Sequence, residues 1–144
     1  MPNRSAKLNK MEKFLADPQY PREEKTLVLI KPDAVKRGLI GEIIKRFESR
    51  GLKIIGLKMI YGSKKDFDKH YPKDKKWITN LGQRTAEMYK KYNYSLKQDF
   101  GIDNPFKIGK IFRNWLFDFM SSGPVVKILV EGVHAIDVVR KIVG

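Results

Sequence analysis

Three short apolar runs bounded by turn residues, with apolar residues recurring at helical spacing between them, predict an α+β fold. Their order points to a ferredoxin-like split β-α-β sandwich, an antiparallel sheet with helices on one face, here lacking its final strand and carrying a helical insertion. The chain has 144 residues, 42% hydrophobic and 32% charged, and a chain of this length and balance holds one core. The expected organisation is a flexible N-terminal extension over residues 1–23 and a domain over 24–144, with the helical insert at about 73–104.

Each element has its own local reason. Residues 1–23 are polar and carry Pro2, Pro18 and Pro21, leaving at most one short helical turn near Met11 to Leu15. Thr26 to Ile30 (TLVLI) is continuously apolar and stops at Lys31-Pro32-Asp33, the pattern of a central strand buried on both faces. Ile40, Ile43, Ile44 and Phe47 share one helical face, and Gly51 stands where a C-terminal cap belongs. Leu52 to Tyr61 reads as a strand, followed by a short helix from an N-cap at Ser63 towards His70, closed by Pro72.

From Lys73 to about Asn104 the chain is rich in lysine and tyrosine, with weak helical periodicity at Trp77, Ile78, Leu81, Thr85, Met88 and Tyr92. Strict spacing returns at Ile108, Ile111, Phe112, Trp115, Leu116 and Phe119, and Ser122-Gly123-Pro124 turns the chain into a strand over Val125 to Val130. A last helix, Ala135 to Ile142, is expected to bury Ile136, Val139 and Ile142 or Val143. In this order the first and third strands are expected to lie parallel in the middle of the sheet. Without a closing strand, the outer edge of Thr26 to Ile30 is left unpaired.

Composition narrows the chemistry. There is no cysteine, which excludes disulfides, thiolate zinc sites and cysteine nucleophiles and suits a reducing compartment. No apolar run nears the roughly 20 residues needed to span a bilayer, and the opening MPNRSAKLNKMEKF has no apolar signal core. A cytoplasmic protein without a membrane partner is expected. Thirty Lys and Arg against sixteen Asp and Glu give a net charge of +14, a field that draws polyanions, although scattered lysines also simply keep a surface soluble.

Neither G-x-x-x-x-G-K-[ST] nor G-x-G-x-x-G occurs, so a P-loop or dinucleotide site has no support, and the RNA-reading motif of RRM domains is absent too. Two long blocks carry more. EKTLVLIKPDAVKRGLIGEIIKRFESRGLKIIGLKMI and FMSSGPVVKILVEGVHAIDVVRKIVG, in that order with His70-Tyr71 between them, resemble the nucleoside diphosphate kinases. That family opens with a strand-end lysine in a K-P-D turn followed by R-G-L-x-G-E-I-I-x-R-F. Its later block reads M-x-S-G-P-V-V-x-x-V-x-E-G.

The resemblance implies transfer of the γ-phosphate of ATP to nucleoside diphosphates through a phosphohistidine, with Mg²⁺ accompanying ATP. It also implies a homo-oligomer in the full-length form. Lys31 matches the lysine that reaches the terminal phosphate and ribose, Tyr71 the tyrosine that positions the transferred phosphate, and Arg140 an arginine that clamps phosphates. Counting back from Ser122-Gly123-Pro124, Phe112 falls at the aromatic that stacks on the base, with Leu116 one turn later. A lysine and an arginine supply charge-assisted bonds to phosphate oxygens, and a flat ring accepts any base.

Plainer readings stand beside these. Tyr71 is equally a helix-end aromatic, Arg140 equally an ion-pair partner of Asp137, and Phe112 lies on an apolar stripe where core packing competes with stacking. The sequence offers no catalytic residue and no metal ligand. His70 and His134 both lack the N-x-x-H-x-S-D context of the family's phosphate-accepting histidine, which follows a P-G-T-I-R-G-D-F segment. The chain is therefore expected to be a kinase fragment, inactive alone. The alternative is a non-catalytic nucleotide- or nucleic-acid-binding module of the same fold, with nucleic acid the less favoured partner.

Overall fold

The structure is a computed structural model that describes residues 22–144; the extension and its turn near Met11 to Leu15 lie outside the described residues, except that Glu23 already opens a strand. In chain order the elements are β1 (Glu23–Ile30), α1 (Pro32–Lys36), α2 (Ile40–Glu48), β2 (Lys53–Ile60), α3 (Lys64–His70), α4 (Lys75–Lys91), α5 (Leu96–Phe100), α6 (Pro105–Met120), β3 (Val125–Val133) and α7 (Ala135–Val143). The chain divides into two compact units. The first takes the described residues up to Ile30 with Arg37–Met59 and Val126–Gly144, the second Lys31–Lys36 and Ile60–Val125.

In the first unit the sheet order is β1-β3-β2, so the strands joined by a helix are separated by the last strand, as a split β-α-β requires. β1 pairs antiparallel with β3, from Glu23 opposite Val133 to Ile30 opposite Val126. This corrects the expected parallel pair: the helical crossover joins β1 to β2, and β3 enters between them running against β1. β3, not β1, is the strand buried on both faces, with Val125, Val126, Ile128 and Val130 all inaccessible. β1 is an edge of this sheet and alternates instead. Val28 and Ile30 are buried while Leu27 is 50% exposed.

A carboxylate sits in the middle of this sheet. Glu131 on β3 is 1% exposed, with Lys53 Nζ 3.2 Å from its Oε2 and Lys25 Nζ 3.7 Å from its Oε1. The longer approach is an ion pair but no hydrogen bond, so Oε1 has no donor. Phe47 anchors α2 as its fully buried residue. The helix caps at Ser49 rather than Gly51; Gly51, at φ +76°, takes the left-handed turn that leads towards β2.

α7 packs on β1 and against α2. Its N-terminus receives the Glu24 carboxylate, which accepts the Ile136 N–H at 3.1 Å, a favourable place for an anion. Ala135 and Val139, one turn apart, are the buried positions, and Ile142 is half-buried. Ile136 is 40% exposed and Val143 is exposed as well, which corrects the expected face. Setting the helix on Ala135 and Val139 swings the next residue about 100° away.

In the second unit each helix is started by its own sequence. Ser63 and Asp66 form a reciprocal capping box on α3. Asp74 accepts the Trp77 N–H at 2.8 Å on α4, and Asn104 accepts the Lys107 N–H at 3.1 Å on α6, with Pro105 in the first turn. α1 was not anticipated; Pro32 begins it, and the Lys31 carbonyl accepts the Val35 N–H at 3.1 Å. The helical character expected over 73–104 takes the form of α4 and α5.

α4 and α6 touch through their backbones. A Cβ on Gly82 would lie 1.8 Å from the Pro105 carbonyl oxygen, and one on Gly109 1.9 Å from that of Ile78. Both glycines are buried, together with Ile78, Thr85 and Ile108. Met88, Tyr92 and Trp115, each counted on an apolar face in the sequence, are exposed.

Candidate functional site

Lys31 leaves β1 exposed and makes no ion pair or side-chain hydrogen bond among the described residues. Its backbone is held by the first turn of α1. The next residue, Pro32, is buried, and a Cβ on Gly123 would meet its ring at 3.3 Å, so the K-P-D turn rests closely on the Ser122-Gly123-Pro124 turn. A cavity of about 600 Å³ opens beside both, lined by Asp33, Lys36, Tyr61 and Phe119 among others.

Tyr71 ends α3 in extended backbone and is half-buried. Its ring lies 6.3 Å from that of Trp77, 6.1 Å from Phe117, and edge-on to His70 at 5.1 Å. Burial pushes its hydroxyl above the usual tyrosine range, so at neutral pH it is a protonated donor.

The loop that carries Tyr71 is gripped by Arg113, whose side chain is 11% exposed. Its Nη1 donates to Asp68 Oδ1 at 2.7 Å and its Nε to the Pro72 carbonyl at 3.1 Å. Nη2 reaches the carbonyls of Asp68 and Tyr71, each at 3.4 Å. The guanidinium also lies 4.5 Å from the Phe117 ring centre, within cation–π range. Lys73 holds the other oxygen of Asp68 at 2.7 Å. Hydrogen bonds from Lys73 and then Arg113 keep the Asp68 carboxyl below the ordinary aspartate range. Arg113 was missed in the sequence; its one signal there is a lone cation flanked by Ile111, Phe112, Leu116 and Phe117.

α6 carries the remaining candidates of this unit. Phe112 is half-buried, 5.1 Å from Trp115 and 5.9 Å from Phe100 between ring centres. Leu116 follows one turn later, also half-buried. Tyr71, Phe112 and Leu116 are thus tied to one helix, directly or through Arg113, and Lys31 belongs to the same unit. Arg140 belongs to the first unit, exposed in the last turn of α7. It forms no ion pair with Asp137.

Both histidines are exposed. His70 closes α3 against Tyr71, and His134 stands before α7 at φ +52°. Among the described residues no three His, Asp or Glu side chains gather where they could hold a metal ion.

A family model described as nucleoside diphosphate kinase matches residues 24–82. The crystal structure of an NDP kinase from Pyrobaculum aerophilum superposes with a TM-score of 0.82 at 40% identity, covering 85% of this chain and 67% of that one. The chain belongs to the nucleoside diphosphate kinase family. A curated nucleoside diphosphate kinase from the same organism is 42% identical over 84% of this chain, and one from Pyrococcus furiosus is 41% identical over the same share. The chain spans 66% of the first of these kinases and 55% of the second. A nucleoside diphosphate kinase from Borrelia burgdorferi, solved as a transition-state mimic with bound vanadate and ADP, matches with a TM-score of 0.53 at 32% identity, over 83% of this chain and 55% of that one.

Proposed function

We propose that this chain supplies the nucleotide-binding side of a nucleoside diphosphate kinase, an enzyme that moves the γ-phosphate of ATP to nucleoside diphosphates through a phosphohistidine. One observation carries the reading: Arg113 fixes the Tyr71 loop to the helix that presents Phe112 and Leu116, so the hydroxyl assigned here to phosphate and the ring assigned to the base share one support. Lys31 and Arg140, both exposed and without ion pairs among the described residues, are free to meet phosphate oxygens. The ADP and vanadate bound by the Borrelia enzyme suit the same reading.

Mg²⁺ belongs to this proposal as the companion of the nucleotide. Since the described residues gather no acidic metal cluster, its ligands here would be phosphate oxygens, and its chemistry is the neutralisation of phosphate charge. Neither His70 nor His134 is proposed as the phosphate acceptor. Homo-oligomerisation and a cytoplasmic location are also part of the proposal. Leu57 and Met59, exposed two residues apart on β2, suit the first, and the absence of cysteine suits the second.

The test is calorimetric titration with MgADP. Lys31→Ala is expected to weaken binding about tenfold or more, the loss of a charged hydrogen bond, while Lys58→Ala, another exposed lysine, leaves it unchanged. Equal losses would reduce the affinity to net charge and overturn the assignment of Lys31. A second reading, nucleic-acid binding without catalysis, is favoured by one feature. Tyr92 and Tyr94 are exposed and stacked at 5.9 Å, with Lys90, Lys91 and Lys97 nearby in the chain and in no ion pair among the described residues.

A further inference from the structure

α5 is a five-residue helix between α4 and α6 with no buried residue of its own. Its position is nevertheless fixed. Ser95 caps its start, accepting the Gln98 N–H at 3.3 Å, and Gly101 ends it at φ +70°. The Asp99 carboxylate is the main cause of the Tyr89 hydroxyl on α4 titrating above its usual range.

What α5 delivers is Phe100. Its ring centre lies 6.0 Å from Tyr89, 5.9 Å from Phe112 and 5.8 Å from Trp115, and Phe112 and Trp115 are 5.1 Å apart. Phe100, Phe112 and Trp115 therefore form a closed triangle of mutual ring contacts, all tilted or edge-on, within the range where aromatic pairs attract beyond their buried area. Phe112 and Trp115 are three residues apart on one helix and would meet in any case. Phe100 comes from a separate helix, and its contact removes the freedom of the Phe112 ring to turn aside.

We propose that Phe100 is a positioning residue for the base of a bound nucleotide: it holds the Phe112 ring, through the triangle with Trp115, in the orientation that stacks on the base. The inference rests on the reading that Phe112 is the base-stacking residue. A ring already fixed loses less rotamer entropy when a ligand arrives, so the contribution is to base affinity and leaves phosphate recognition by Lys31 and Tyr71 untouched.

The experiment is calorimetric titration of the whole chain with MgADP and, separately, with magnesium tripolyphosphate, which has no base. Phe100→Leu, which keeps an apolar side chain but removes the ring, is expected to weaken MgADP binding about two- to tenfold and to leave tripolyphosphate binding unchanged. Phe100→Tyr is expected to restore the MgADP affinity, which a merely space-filling role would not require. Phe112→Ala separates the two claims. If it weakens MgADP binding and Phe100→Leu does not, the positioning role is wrong while the base site stands. If Phe112→Ala has no effect, the base-site reading fails and this inference fails with it. Equal loss of both ligands in Phe100→Leu would make Phe100 a general packing residue and also overturn the proposal.

Discussion

Arg113 and Asp68 are separated by 45 residues in the chain and joined by a 2.7 Å charged hydrogen bond, which makes the protonation of one carboxyl a control on the Tyr71 loop. The Asp68 carboxyl titrates below its unfolded value of about 4, first because of Lys73 and then because of Arg113. A depressed carboxyl stabilises the fold fully above its unfolded pKa, and that stabilisation is lost as pH falls through the lower folded value. Asp68→Asn is therefore expected to lower the urea midpoint at pH 7, with the gap to the native chain narrowing in acid below about pH 4. A gap of the same size at both pH values would mean that the ionised form plays no part. Lys31 could be proposed from its K-P-D setting, because the motif is local. Arg113 was not, because its partners Asp68, Tyr71 and Pro72 lie over 40 residues away, beyond the reach of helical periodicity.

The two helices that meet at Gly82 and Gly109 give the sharpest expectation about packing. In either place an added methyl would run into a backbone carbonyl rather than the end of a flexible side chain. Gly82→Ala and Gly109→Ala are each expected to destabilise the protein by about 1–3 kcal/mol or more. Gly41→Ala in α2 meets nothing within 4 Å and is expected to stabilise by about 0.5–1 kcal/mol. Thermal unfolding of the three variants would check this, and a neutral Gly82→Ala would mean that the helices are not in backbone contact. The start of α3 was legible because the Ser63 cap is local chemistry, whereas the Asp74 and Asn104 caps, equally local, were passed over. Helix faces were less legible: the apolar count included exposed Met88 and Trp115 and passed over Gly82, since a glycine that permits close approach carries no hydrophobic signal. β1 has the open outer edge expected of it among the described residues, but its burial on both faces was misjudged for a related reason. TLVLI has the composition of a central strand, but which strand lies in the middle is decided by the order of pairing, and β3 takes that place.

The whole chain carries +14, and this field acts on every anionic ligand, so selectivity must be read from how binding responds to salt. Binding through a few phosphate contacts weakens only modestly between about 50 and 200 mM salt, whereas a nucleic-acid surface with roughly six to ten such contacts loses about a thousandfold or more. The nucleotide reading predicts that at about 200 mM salt the protein still binds MgADP and has released oligothymidylate. Filter retention beside calorimetry would show it, and the reverse result would favour the stacked pair Tyr92 and Tyr94 as the working surface. The strand and helix order was legible at this level because the apolar runs are long and well punctuated. The division into two units was not, since it depends on which distant segments meet. The Gly82–Gly109 contact has one more effect. The chain departs at one glycine and returns at the other, so everything between them is a loop whose neck is already tied. Lengthening such a loop twofold adds only about 0.6 kcal/mol of closure entropy, which leaves the exposed turn between α4 and α5 free to gain residues while the two helices stay joined at the glycines.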